Sequence, residues 1–394
     1  MTIRHIIFYL TFLFPFVAHA QSIYDTTIKP ADAMPEQYVP QLKGKRVALV
    51  INQTSAIGNV SLLDLLRNAG VNVVRIFVPE HGFRGHEDAG ANIENTIDSA
   101  TGLPVVSLYG KHKKPTVEDL ADIDIVVYDL QDVGVRFYTY IATLQYVMEA
   151  CGQNHKLLMI LDRPNPNGFY VDGPVLDTAY RSFVGMQPIP VVYGMTAGEY
   201  ARMLAGERWC ADAGSLDMTI IKCGNYTHAK KYKLPVAPSP NLRTMAAVYG
   251  YPSLCLFEGT VISVGRGTEL PFQQYGTPAF DSTKYTYSFT PKSGEGAKSP
   301  PYEGLHCYGE MTGKKDEEVL KKIDGKLYLG WLQGAYSNYP DKDKFFNAFF
   351  VKLCGSQELE NSIKNRVPEA TIRATWKPAL DAFRNIRKKY LLYD

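Results

Sequence analysis

The sequence predicts an α/β protein in which a Rossmann-like parallel sheet domain is followed by a smaller α+β C-terminal domain. Three observations carry that expectation. Apolar runs of strand length recur through the first half of the 394 residues, and helix-period segments separate them. Beyond about residue 250 the alternation gives way to short mixed patterns rich in glycine and proline. Strands as apolar as "RVALVIN" must be covered on both faces, which is the mark of a parallel sheet between helical layers.

Taken in order, the first twenty residues read as a secretory leader. Arg4 and His5 precede an apolar run at 6–17, and Ala18-His19-Ala20 forms a small-x-small cleavage site, so cleavage is expected after Ala20. The run is shorter than the roughly 20 residues that span a bilayer. No second apolar stretch of that kind follows, so the mature chain carries no membrane span and the protein is expected outside the cytoplasm, in the periplasm or the medium. The remainder divides into a first domain at 21–260 and a second at 261–394. Strands are expected at 46–52, 71–78, 104–110, 123–130 and 156–162. Helices are expected at 61–70, ending on Gly70, at 140–152, and from about Thr196. In the second domain "FFNAFFVKL" (345–353) reads as a strand, and "WKPALDAFRNIRKKY" belongs to a helical tail. The polar Gly/Pro stretch 291–304 reads as a loop that borders a cleft.

Composition excludes several classes. A net charge of +2 gives no case for nucleic acid or for electrostatic membrane binding. Apolar content of 45% and charged content of 21% describe an ordinary globular chain. The 26 tyrosines suit a surface that stacks and hydrogen-bonds sugar rings, although tyrosine also fills ordinary cores. Six scattered cysteines lack CxxC spacing, so they are expected mostly as buried thiols, with Cys210 and Cys223 the one pair worth considering.

Ligands of open parallel sheets lie beyond the carboxyl ends of the strands. Here those ends carry Glu80 and His81, then Tyr109 and His112, then Asp129, Asp132, Arg136, Tyr138 and Tyr140, then Asp162, Arg163, Asn165 and Asn167. Any one of these has a bland alternative, because polar residues always follow strands and an aspartate readily pairs with a neighbouring arginine. Their convergence on one edge is the signal. Glu80 follows Ile76, Phe77 and Val78, and a carboxyl group in apolar surroundings holds its proton more tightly, as a general acid must. Asp129, Asp132, Glu258 and Glu269 are candidates for the second role. Glycoside hydrolysis places its two carboxyl groups about 5 Å apart for retention or roughly 6.5–9.5 Å apart for inversion. No cofactor is called for: there is no GxxxxGK[ST], no GxGxxG after the first strand and no GxSxG. His81, His86, Glu87 and Asp88 cluster locally but match no helical zinc motif, so no metal is expected.

The blocks "VPEHGFRG", "YDLQDVGVRFYTY", "LDRPNPNG", "SFVGMQPIPVVYGMTAGEYA", "SPNLR", "YPSLCLFEGTVISVGRGTELPFQQYG" and "FRNIRKKYLLYD" together resemble the exo-β-N-acetylmuramidases of the NamZ type, from about residue 40 to the C-terminus. One block departs from the family, which usually reads SPNLP where this chain has Arg243. The resemblance implies an active site in the cleft between two domains. It also implies removal of N-acetylmuramic acid from the non-reducing ends of peptidoglycan fragments, in cell-wall turnover and recycling, with Glu80 as the acid. Tyr138, Asp129 or Glu258 would stabilise the oxocarbenium-like centre, unless the substrate's own 2-acetamido group serves as nucleophile. Arg84, Arg136, Arg163 and Arg266 are candidates for the lactyl carboxylate, since a guanidinium pairs bidentately with a carboxylate. His81, Asp132, Asn165, Asn241 and Glu269 complete the expected substrate-binding set. A non-catalytic binder of wall fragments and a metal-dependent hydrolase are the rival readings.

Overall fold

The computed structural model describes residues 22–84, 88, 90 and 95–394. The expected leader and residues Gly85, His86 and Glu87 lie outside them.

Seven strands form the main sheet: β1 (Arg46–Ile51), β2 (Asn72–Val78), β3 (Thr96–Ile97), β4 (Pro104–Ser107), β5 (Ile125–Asp129), β6 (Leu157–Leu161) and β7 (Met218–Ile221). Their order across the sheet is β7-β6-β5-β1-β2-β4-β3. Every pairing is parallel except that of β3 with β4 at one edge. The sequence reading missed β3, which is only two residues long, and β7, whose burial is too irregular to read as an apolar run. The chain winds outward from β1 on one side through β2 and β4, then returns to the other side with β5. The switch in direction therefore falls beside β1, where open sheets of this kind bind ligands.

Period-two alternation explains how the strands are buried twice over. Val47, Leu49 and Ile51 of β1 pack with Leu62, Leu63 and Leu66 of one helix (Leu62–Asn68) on one face. Ala48 and Val50 point the other way, into a core shared with Ile141, Leu144 and Met148 of the helix Tyr140–Gln153. The helix Ala197–Gly206 starts where expected, because Thr196 and Glu199 form a reciprocal cap: the Thr196 hydroxyl accepts from the Glu199 amide at 3.2 Å and the Glu199 carboxylate from the Thr196 amide at 2.9 Å.

The second part holds a three-stranded antiparallel sheet, β8 (Gln274–Thr277), β9 (Tyr287–Phe289) and β10 (Cys307–Met311), with β10 in the middle. Helices surround it, among them Met245–Leu254, Asp316–Ile323 and the long Glu369–Arg387. The segment 345–353 corrects the strand expectation. Phe350–Cys354 is a short helix, closed by Gly355 in the left-handed conformation at φ 73°. Phe350, Leu353 and Cys354 are its buried residues, at the i, i+3, i+4 spacing of a helix face. The second core does not stand apart: Trp331, Phe345, Trp376 and Phe383 belong to the same contiguous cluster as Val50 and Ile160 of the main sheet. All six cysteines are buried thiols, unpaired.

Candidate active site

The carboxyl end of β2 opens onto a cavity of about 540 Å³. That volume lies within the roughly 300–1,000 Å³ typical of small-molecule sites. Glu80, His81, Tyr109, Tyr138 and Thr139 line it from the first half of the chain, and Ser239, Leu242, Tyr251, Glu258, Arg266 and Phe272 from further on. The loop 291–304 borders it as expected, through Gly296, Ala297, Ser299, Pro300 and Pro301. The glycine after Glu80-His81 is explained by the backbone: His81 and Gly82 are both left-handed, at φ 72° and 74°, so the strand ends in a tight turn that presents Glu80.

Two donors fix the Glu80 carboxyl group. Thr139 donates its hydroxyl to one oxygen at 2.7 Å, and the Gly90 amide donates to the other at 2.9 Å. Burial pushes the Tyr109 phenol well above its usual range, and the charge of Glu80 adds to that, so Tyr109 stays a donor beside the carboxyl group. Tyr138 stands alongside, its hydroxyl donated to the Pro238 carbonyl at 2.7 Å and its ring edge-on to Tyr140 and Tyr251. Burial pushes that phenol up as well. The His81 ring lies 3.4 Å from the Ser239 hydroxyl.

Glu258, on the same cavity, pairs with the Nε of Arg266 at 2.5 Å. Burial alone would weaken the Arg266 cation, but the Glu258 carboxylate overrides it and holds the guanidinium charged. Arg266 also lies over the Phe272 ring, 5.1 Å from its centroid.

Other expected residues stand elsewhere. Arg163 donates to both oxygens of Asp129, at 2.6 and 2.9 Å, and to Asp32 at 2.6 Å, and all three are buried under the sheet edge. Neither Asp129 nor Arg163 lines the cavity; each is the other's counterion. Arg136 is buried too; its guanidinium donates to the carbonyls of Pro174, Ile189 and Leu353. Asp132 accepts from the Gly134 amide at 2.6 Å and from the Tyr193 hydroxyl, and burial pushes its carboxyl up to about 6. Asn165 is spent on the Met195 carbonyl and the Asn167 amide. Asn241 works one step back from the cavity: it donates to the Gly296 carbonyl at 2.8 Å and so holds the bordering loop. Arg84 is exposed, 3.5 Å from Asp98, beside a neighbouring hollow. Glu269 lines a separate hollow with Arg243 and Lys292. None of these eight is among the described residues that line the cavity beside Glu80.

Thr139, Tyr251 and Ser239 were not singled out from the sequence. Thr139 had a signal, standing next to Tyr138 in one of the blocks. Tyr251 reads as a helix residue, and nothing local marks it as a cavity wall. Among the described residues no three His, Cys, Asp or Glu side chains gather as a metal would need. No described helix is long and apolar enough to cross a membrane.

The sequence matches the description "Exo-beta-N-acetylmuramidase NamZ, N-terminal" over residues 47–246 and its C-terminal counterpart over 249–393. The chain belongs to the NamZ exo-β-N-acetylmuramidase family. It is 38% identical over 387 residues to the peptidoglycan beta-N-acetylmuramidase NamZ of Bacillus subtilis (strain 168), covering 92% of this chain and 90% of that one. Two solved structures of DUF1343 family proteins from Bacteroides fragilis NCTC 9343 share the fold. One is 47% identical with a TM-score of 0.85, covering 93% of this chain and 99% of the other. The second is 30% identical with a TM-score of 0.79, covering 94% and 100%. Membership places the chain among glycosidases and agrees with its two-part α/β architecture.

Proposed function

We propose that the protein is an exported, exo-acting β-N-acetylmuramidase that removes N-acetylmuramic acid from the non-reducing ends of peptidoglycan fragments in wall turnover, with Glu80 as general acid. The observation that carries this reading is the Glu80 carboxyl group, oriented by Thr139 on the wall of a cavity rich in aromatic side chains. The activity for which the family is named supports it.

In this reading the muramic ring lies with its anomeric carbon against Glu80. The carboxyl group gives its proton to the glycosidic oxygen as the bond from C1 to that oxygen breaks, and the leaving sugar departs as an alcohol. Positive charge gathers at C1 and the ring oxygen, where Glu258 or the substrate's own 2-acetamido oxygen offsets it; water then adds its hydroxyl group to C1 and gives its proton to the Glu80 carboxylate, which restores the acid. Of the four arginines considered for the lactyl carboxylate, Arg266 is the one among the described lining residues. Its guanidinium is held charged and lies over the Phe272 ring, a placement suited to a carboxylate.

The test is release of para-nitrophenol from N-acetyl-β-muramide and from the matching glucosaminide, by the mature protein and by Glu80→Gln, with and without chelator. Muramide-selective release, lost in the variant and indifferent to chelator, is the expected result. Release from neither sugar, with binding of wall fragments retained, would replace the enzyme with a binder; loss on chelation would replace proton transfer with a metal.

A further inference from the structure

The aromatic lining of the cavity is uneven. Phe137, Tyr138, Tyr251 and Phe272 are buried, whereas Phe349, on the same cavity, is 38% exposed. The buried rings form the inner wall and Phe349 forms the rim, together with half-buried Val184 and with Pro301 of the bordering loop.

Phe349 is held there by a built bracket. The Asn347 amide donates to the Gly259 carbonyl at 3.0 Å, and the Asn347 side chain donates to the carbonyls of Glu258 and Thr260 at 3.4 Å each. Its side-chain oxygen accepts the Phe349 amide at 2.8 Å. The next residue, Phe350, presses against Gly259, where a Cβ would lie 2.3 Å from the Phe350 Cα. The backbone that carries Phe349 is thus locked to the segment that carries Glu258. An apolar ring kept open to solvent, at a fixed height above a sugar cavity, offers a surface to the C–H face of a second ring.

We propose that Phe349 is the stacking platform for the leaving-group side of the substrate, the hexosamine ring attached to the scissile oxygen. This rests on the muramidase reading. The muramic ring must sit inward, with C1 beside Glu80, Thr139 and Tyr138, so the ring beyond the scissile oxygen points to the rim. A platform there tightens binding of fragments whose next unit is a ring and contributes nothing when the leaving group has none.

The test uses the mature protein with three substrates: the muramic acid–glucosamine disaccharide in its N-acetylated form, the para-nitrophenyl muramide, and a trifluoroethyl muramide that has no ring on the leaving side. Phe349→Ala is expected to raise KM about tenfold for the first two relative to the third, the size of one lost aromatic contact. Phe349→Trp should restore the ring-bearing substrates. An active wild type whose Phe349→Ala variant changes all three alike, or none, overturns the platform alone. A wild type that releases muramic acid from none of the three overturns the glycosidase reading and the platform with it.

Discussion

Glu80 and Asp129 end neighbouring parts of one sheet, on either side of β1, and their fates differ completely. Both follow a run of apolar strand residues. Glu80 is met by a hydroxyl and a backbone amide and faces a cavity. Asp129 is met by a guanidinium that also grips Asp32, and it is fully buried. What separates them is the charge of the partner within reach. Asp129, matched by a buried arginine away from the cavity, is committed to the fold, whereas Glu80, oriented by uncharged donors, faces open space.

The largest expected effect tests the cavity side of that contrast. Glu80→Gln should lower turnover on the muramide by about 10²–10⁴ while the far-ultraviolet circular dichroism stays unchanged. A variant that keeps its rate would dissolve the distinction. Next in size is the buried side. Arg163→Met leaves Asp129 and Asp32 without their counterion, and unfolding in urea should show a loss of about 3–5 kcal/mol. A stability within error of the wild type would mean the network is dispensable.

Asp132 sharpens the contrast through pH. Burial raises its carboxyl from 3.8 to about 6, partly countered by the hydrogen bonds from Tyr193 and Gly134. Between those values the folded protein keeps a proton that the unfolded chain releases. Stability from this group is therefore present at low pH and falls as pH rises through the window, by about 3 kcal/mol in all. Asp132→Asn should flatten that slope in urea titrations between pH 4 and pH 6, and an unchanged slope would reject the assignment. The smallest effect concerns orientation. Thr139→Val removes a hydrogen bond to the Glu80 carboxyl group and should cost roughly tenfold in kcat, with Thr139→Ser retaining most of the rate. Equal loss in both variants would show that packing at Thr139 matters more than its hydroxyl.

Much of the fold was legible because its cause is local and periodic. Parallel strands buried on both faces must be apolar throughout, so β1, β2, β5 and β6 were visible as runs. The Thr196 cap was visible as a helix start. The segment 345–353 was not, because its apolar residues satisfy a strand and a helix pattern at once, and only the left-handed Gly355 and the packing on Gly259 decide between them. At the site, Glu80, His81, Tyr138, Glu258 and Arg266 were named from sequence and do line one cavity. Asp129, Arg163 and Arg136 were named on equal grounds and do not. Which arginine reaches a carboxylate first is a matter of three-dimensional neighbours, and Asp32, the third member of that network, lies 131 residues from Arg163.

The shared core has one more consequence. Side chains from β1, the helix Tyr140–Gln153, Trp331 and Phe383 belong to a single apolar cluster, so the two halves that match separate family regions have no dry seam between them along which to part. Opening them like a jaw would expose that cluster to water at a cost that grows with every square ångström. Heat should therefore melt the protein in one cooperative step, and a substrate is expected to enter past the loops at the rim.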